Sequence, residues 1–83
     1  MIVNKIQRGG DKVINFGLLA EKIAESGITI TALASKCNMS RETYYNRMNG
    51  IGEFTASEIF AFTKVLHLSK EERDKIFFAN KGE

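Results

Sequence analysis

Four side chains within one short stretch, Arg41, Glu42, Tyr45 and Asn46, are of the types that read the edges of nucleic-acid bases. Arginine presents a fork that matches guanine O6 and N7 or a phosphate. The carboxamide of Asn46 can pair with adenine N6 and N7. Glu42 can accept from cytosine N4, and Tyr45 offers a hydroxyl and a ring for a thymine methyl. Ser40, Thr43 and the free amides of helix N-termini are suited to phosphates, which set register and carry no sequence information. Arg47 and Lys12 are further phosphate candidates. A second account fits two of these residues equally well: Glu42 and Arg47 as solvated charges on the surface.

No other chemistry is written into the chain. A reactive thiol needs a histidine or cation beside it, and Cys37 has none nearby in sequence; it reads as a small buried hydrophobe. His67 sits near the end of a helix, where the helix dipole favours an imidazolium. One cysteine and one histidine thirty residues apart do not make a zinc site. Carboxylates show no paired spacing, and no glycine-rich phosphate loop follows a strand. We therefore expect no catalytic residues, no metal, no cofactor and no small-molecule substrate.

Those base-reading residues must be held by a scaffold, and its limits follow from composition. With 83 residues, 43% hydrophobic and 27% charged, the chain can form one ordinary globular domain. No apolar run approaches the ~18–20 residues of a membrane span. Met1-Ile2-Val3-Asn4-Lys5 lacks the apolar stretch of a signal peptide. A single cysteine fits a reducing compartment, so a cytoplasmic location is expected. The net charge of +2 only permits a nucleic-acid partner, and the basic excess lies in the N-terminal half.

With no proline in the chain, glycines and capping residues mark the boundaries. Residues 1–12 read as a flexible basic tail with Lys5, Arg8 and Lys12 around Gly9-Gly10; Ile2, Val3 and Ile6 also fit a short edge strand. Residues 13–83 form the domain. A first helix runs from Asn15 or Phe16 to Ser26, with Phe16, Leu19, Ala20, Ile23 and Ala24 as its apolar stripe and Gly27 closing it. A second starts after Thr29, carries Ile30, Leu33, Ala34 and Cys37, and ends near Cys37 or Asn38. Asn38 tolerates the positive φ that a tight turn requires. A third helix follows Ser40 and runs through Met48 to the stop at Asn49-Gly50, with Tyr44 turned into the core and Tyr45 outward. The fourth and fifth begin with capping boxes, Thr55-Ala56-Ser57-Glu58 and Ser69-Lys70-Glu71-Glu72, and the fifth extends to about Ala79. The fold class expected is all-α, a five-helix bundle in which two short helices with a turn of about three residues form a helix-turn-helix over residues 29–48.

At least one aromatic exceeds what that bundle needs, unless the fifth helix wraps the bundle and buries them all. Phe60 lies away from Ile59 and Phe62, and neighbours in the run Ile76-Phe77-Phe78 point about 100° apart. Phe60, Phe77 and Phe78 are therefore interface candidates.

Leu33-Ala34, then Asn38-Met39-Ser40-Arg41-Glu42-Thr43-Tyr44-Tyr45, then Asn49-Gly50, resembles the phage Cro/CI (Xre-type) helix-turn-helix repressor family in unbroken register. The stretch from Glu53-Phe54-Thr55 to Ile76-Phe77-Phe78-Ala79 resembles small phage regulators of that family, so the likeness spans about residues 15–79. Asn38 stands where glycine is usual, Tyr44 where an aliphatic residue is usual, and the loop Ile51-Gly52-Glu53 is poor in basic residues. The resemblance implies a λ-repressor-like bundle that binds a double-stranded DNA operator as a homodimer, and the little surface that 83 residues can spare suits a dimer stable only on DNA. It also implies a repressor role in a phage or prophage switch, at the bacterial nucleoid, and the chain's shortness favours a Cro-like regulator. A different reading keeps the fold and makes it a protein-interaction module, such as a phage antirepressor or adaptor.

Overall fold

Each helix begins on a short polar side chain that accepts one of its otherwise unpaired amides. The computed structural model describes residues 12–80. Its elements are β1 (Lys12–Val13), α1 (Phe16–Ser26), α2 (Ile30–Lys36), α3 (Arg41–Met48), α4 (Ala56–Val65), α5 (Lys70–Phe77) and β2 (Ala79–Asn80). Asn15, Thr29, Ser40, Thr55 and Ser69 accept from the amides of Leu18, Ala32, Thr43, Glu58 and Glu72. Such a cap stabilises a helix by about 0.5–2 kcal/mol. Helices of 7 to 11 residues are too short to persist alone. Caps and a shared core must hold them.

Three helices end alike. After α2, α3 and α4 the chain turns through Asn38, Gly50 and His67, at φ 59°, 80° and 55°. The next amides, of Met39, Ile51 and Leu68, donate back to the carbonyls of Ala34, Asn46 and Thr63 at 2.9, 2.8 and 3.0 Å. In this motif the residue after the left-handed position normally drops onto the helix it has left. Met39 packs partly and Leu68 is buried, but Ile51 is 58% exposed.

The core joins Leu19 and Ile23 of α1, Leu33 and Ala34 of α2 with Cys37, Tyr44 of α3, Phe62 of α4 with Leu66 and Leu68, and Ile76 and Phe77 of α5. Phe54, Phe62 and Phe77 form an edge-to-face trio, with ring centroids 5.2 to 6.2 Å apart. Each such pair adds about 0.5–1.5 kcal/mol beyond its buried area.

The fold is all-α with five helices, as expected, with one small addition. Lys12 and Val13 pair antiparallel with Asn80 and Ala79, and the Asn15 amide donates to the Ile76 carbonyl at 2.7 Å. Lys12, read as the end of a flexible tail, therefore lies in a strand. The rest of that tail, with Lys5, Arg8 and the strand alternative for Ile2, Val3 and Ile6, lies outside the described residues. This pairing also shortens α5, which ends at Phe77 and not near Ala79: an extended backbone at 79–80 cannot also be helical.

Two expectations about faces are corrected. Ala20 and Ala24 are exposed, because α1 packs through Leu19 and Ile23, with Leu18 partly covered. Phe77 is 3% exposed, so it belongs to the aromatic trio and is unavailable as an interface residue. Phe60, at 65%, and Phe78 remain on the surface.

Candidate nucleic-acid interface

The turn between α2 and α3 is set by backbone hydrogen bonds before any side chain acts. Asn38 donates to the Ser35 carbonyl at 3.1 Å while Met39 reaches back to Ala34. This aims the chain so that Ser40 starts α3. Its hydroxyl accepts from the Thr43 amide and donates to Thr43 Oγ1, both at 3.0 Å. Ser40 and Thr43 thus brace the start of the helix, and the Thr43 hydroxyl proton remains free to donate.

Along α3 the inward side is Tyr44, buried, and Met48, partly buried. Outward lie Glu42 and Tyr45, both exposed, with Asn46 half-exposed beside them and Arg41 exposed at the edge. Asn49 is also exposed and continues the spacing 42, 45, 46, 49, which is one helical face. Sequence reasoning treated Asn49 only as a stop signal, although that periodicity would have found it. Its Nδ2 donates to the Tyr45 carbonyl at 2.8 Å, leaving Oδ1 and one N–H facing out.

Tyr45 does not swing freely. Its ring meets the buried Tyr44 ring edge-on at 5.2 Å, and the Arg41 guanidinium stands 6.0 Å from its centroid. Arg41, Tyr45 and Tyr44 form a stack running from solvent to core, which restrains both outer side chains. Burial, and then the neighbouring Tyr45, push the Tyr44 hydroxyl above its ordinary value, so it stays neutral.

Arg47 departs from expectation. Its Nε donates to Glu58 Oε1 at 2.9 Å, its Nη2 to Oε2 at 3.3 Å, and its Nη1 reaches the Ile51 carbonyl at 3.5 Å. It is not a freely solvated charge, because its fork is engaged by α4 and by the loop. Burial by itself would push the Glu58 carboxyl up; the hydrogen bonds from Arg47 and from the Thr55 amide, with the guanidinium charge, outweigh it and hold the carboxyl below the usual value. Lys12 has its backbone in β1, paired with Asn80 of β2.

The helix-turn-helix family model matches residues 19–73, from within α1 to within α5. The chain belongs to the helix-turn-helix family. The matched type is that of the Xre and Cro/CI proteins, a family of DNA-binding regulators that are typically non-enzymatic, with double-stranded DNA as the partner it suggests. No curated protein and no solved structure matches the chain.

The remaining chemistry-bearing side chains, Cys37 and His67, lie outside α3. Cys37 is buried behind the turn, and burial, then the nearby Glu58 charge, push its thiol up to about 11, far from a reactive thiolate. His67 is exposed and closes α4 in the left-handed conformation. Among the described residues no group of three or more potential ligands could hold a metal ion, and no helix is long and apolar enough to cross a membrane.

Proposed function

We propose that the protein regulates transcription by binding a specific operator, reading the major groove with α3. The observation that carries this reading is the outward face of α3. Glu42, Tyr45, Asn46 and Asn49 share one side, Arg41 flanks it, and their structural obligations are light. A groove about 12 Å wide admits such a helix. Ser40, Thr43 and the free amides of the first turn supply phosphate contacts beside it. A repressor role, within a phage or prophage switch, is supported by the likeness to Cro/CI regulators.

One α3 reads too few base pairs to single out a genomic site, so the working unit is a two-fold dimer on an inverted repeat. Half-sites are then about 34 Å apart. Phe60, mostly exposed on α4 under the Lys64 ammonium 5.7 Å away, and Phe78 beyond α5 are the apolar residues offered to the second copy.

Selection of bound duplexes from a random pool tests the reading. An inverted repeat should emerge, and Asn46→Ala and Arg41→Ala should each weaken binding by about 1–3 kcal/mol and relax preference at one base position. Loss that is equal on all sequences would assign those side chains to phosphate instead. Affinity that hardly changes with salt would favour a protein-interaction module on the same fold.

A further inference from the structure

Arg47 and Glu58 lie eleven positions apart, on the helix that carries the base-reading face and on the one after it. Glu58 has two tasks. Its Oε1 accepts from the Thr55 amide at 3.0 Å, closing the capping box of α4, and the same carboxylate holds the Arg47 fork with both oxygens. The carboxylate is thereby fixed to the start of α4 before it engages α3. The guanidinium also reaches the Ile51 carbonyl, and it occupies the space over Gly52, where a Cβ would stand 2.6 Å from Nη1. One planar group therefore ties the last turn of α3, the loop that follows and the cap of α4.

We propose that Glu58 is a positioning residue for the DNA-reading helix, setting the pose of α3 through Arg47 without touching DNA; this rests on α3 being the reading helix. Tyr44 and Met48 are the apolar anchors of an eight-residue helix, and the Arg47 fork adds a directional contact to them. Productive contacts require placement within about 0.5 Å and 10–20°. The Arg47 fork opposes rotation because it approaches from the side of α3 away from Glu42. With side chains only 20% and 15% exposed, the pair is shielded enough for its geometry to be held.

The experiment compares the full chain with Glu58→Gln, Arg47→Met and the double variant. Glutamine at this position still accepts from the Thr55 amide, so the capping box survives while the charge is lost. For each protein, preference for the selected duplex over random duplex and the slope of affinity against salt are measured, with amide exchange at Gly50 and Ile51 in the absence of DNA. Each single change should lower sequence preference about tenfold and speed exchange at both amides by a similar factor, and the double variant should be no worse than the poorer single one. The salt slope should stay unchanged. A slope reduced by about 0.9 in Arg47→Met, with preference intact, would make Arg47 a phosphate contact and overturn the proposal. So would tighter binding of every sequence by Glu58→Gln, the plain electrostatic result of removing a negative charge near DNA. Unchanged exchange and preference in both variants would reduce the pair to a surface ornament. A wild-type chain that selects no sequence refutes the DNA reading itself, a result separate from all of these, while the exchange rates still decide whether the pair holds the helix.

Discussion

The N-terminal ends of α4 and α5 are built from the same local pattern and joined to the rest of the molecule differently. Both carry a complete capping box, Thr55 with Glu58 and Ser69 with Glu72. In both, the glutamate also takes a cation from another helix: Arg47 of α3 for Glu58, Lys22 of α1 for Glu72. The arginine contact is a two-point fork between side chains 20% and 15% exposed. The lysine contact is a single point, 2.6 Å from Oε2, between side chains 24% and 36% exposed, and the same ammonium lies 3.8 Å from Glu25. A planar guanidinium fixes direction, whereas an ammonium supplies charge and permits rotation. The fork thus joins α3 to α4 with a fixed direction, and the looser tether joins α1 to α5. A capping box can end as a helix start alone or become a joint between helices, according to which cation tertiary folding delivers.

Acid should break both joints at once, the largest effect expected. Glu58 and Glu72 are both held below the ordinary 4.5, Glu72 chiefly by the Lys22 hydrogen bond and then by the Ser69 amide. A carboxyl depressed in the folded state adds stability that is full above its unfolded value and disappears as pH falls through its folded value. Unfolding free energy should therefore hold nearly level down to about pH 5 and drop below 4.5. At the alkaline end the two joints separate. Lys22 is raised above 10.5 by its hydrogen bond to Glu72, so its contribution is complete below that value and is lost as pH rises through the folded one. Lys22→Arg should shift the alkaline decline upward in a denaturant titration. No difference between it and the wild type would show that the α1–α5 tether carries no stability.

Removing each glutamate sharpens the contrast. Glu58→Ala loses a cap partner and leaves a shielded guanidinium unpaired, and should cost about 2 kcal/mol in urea unfolding. Glu72→Ala should cost measurably less, since water can replace it around Lys22. Equal losses would mean that the fork adds nothing to the cap.

The loops before the two boxes differ as well. Gly52, at φ 76°, leaves room for Arg47 Nη1, so Gly52→Ala meets both backbone strain and the guanidinium. It should destabilise by about 1–2 kcal/mol and disturb the Arg47–Glu58 pair, visible as faster exchange at Ile51. Ahead of α5, His67 occupies the left-handed position at φ 55°. His67→Gly relieves that strain, partly offset by a freer unfolded chain, and should raise stability by about 0.5 kcal/mol. This is the smallest of the expected changes, and a loss there would mean that the imidazole makes a contact worth more than the strain.

The starts of four helices were legible because a cap acts over three residues: Thr29, Ser40, Thr55 and Ser69 cap as their positions suggest, and the structure adds Asn15 as the cap of α1. The turn at Asn38 and the inward Tyr44 were legible too, one from backbone tolerance and the other from helical periodicity. The same periodicity placed Arg41, Glu42, Tyr45 and Asn46 on or beside one outer face. It overreached at Ala20 and Ala24, since a small residue carries too little apolar surface to decide which side of a helix faces inward.

What the sequence by itself determined is therefore local: five capped helices, a left-handed turn before α3, and the types of side chain presented there. Tertiary structure decided which of two neighbouring aromatics goes inside, with Phe77 closing on Phe54 and Phe62 while Phe78 stays at the surface. It decided that residues 12–13 meet 79–80 across the whole domain and so end α5 early. It also paired Arg47 of α3 with Glu58 of α4, with Gly52 leaving room for the guanidinium. Caps and periodicity act through neighbours a turn apart. Ion pairs and ring contacts between helices depend on how the helices cross, and that is set only when the whole core closes at once.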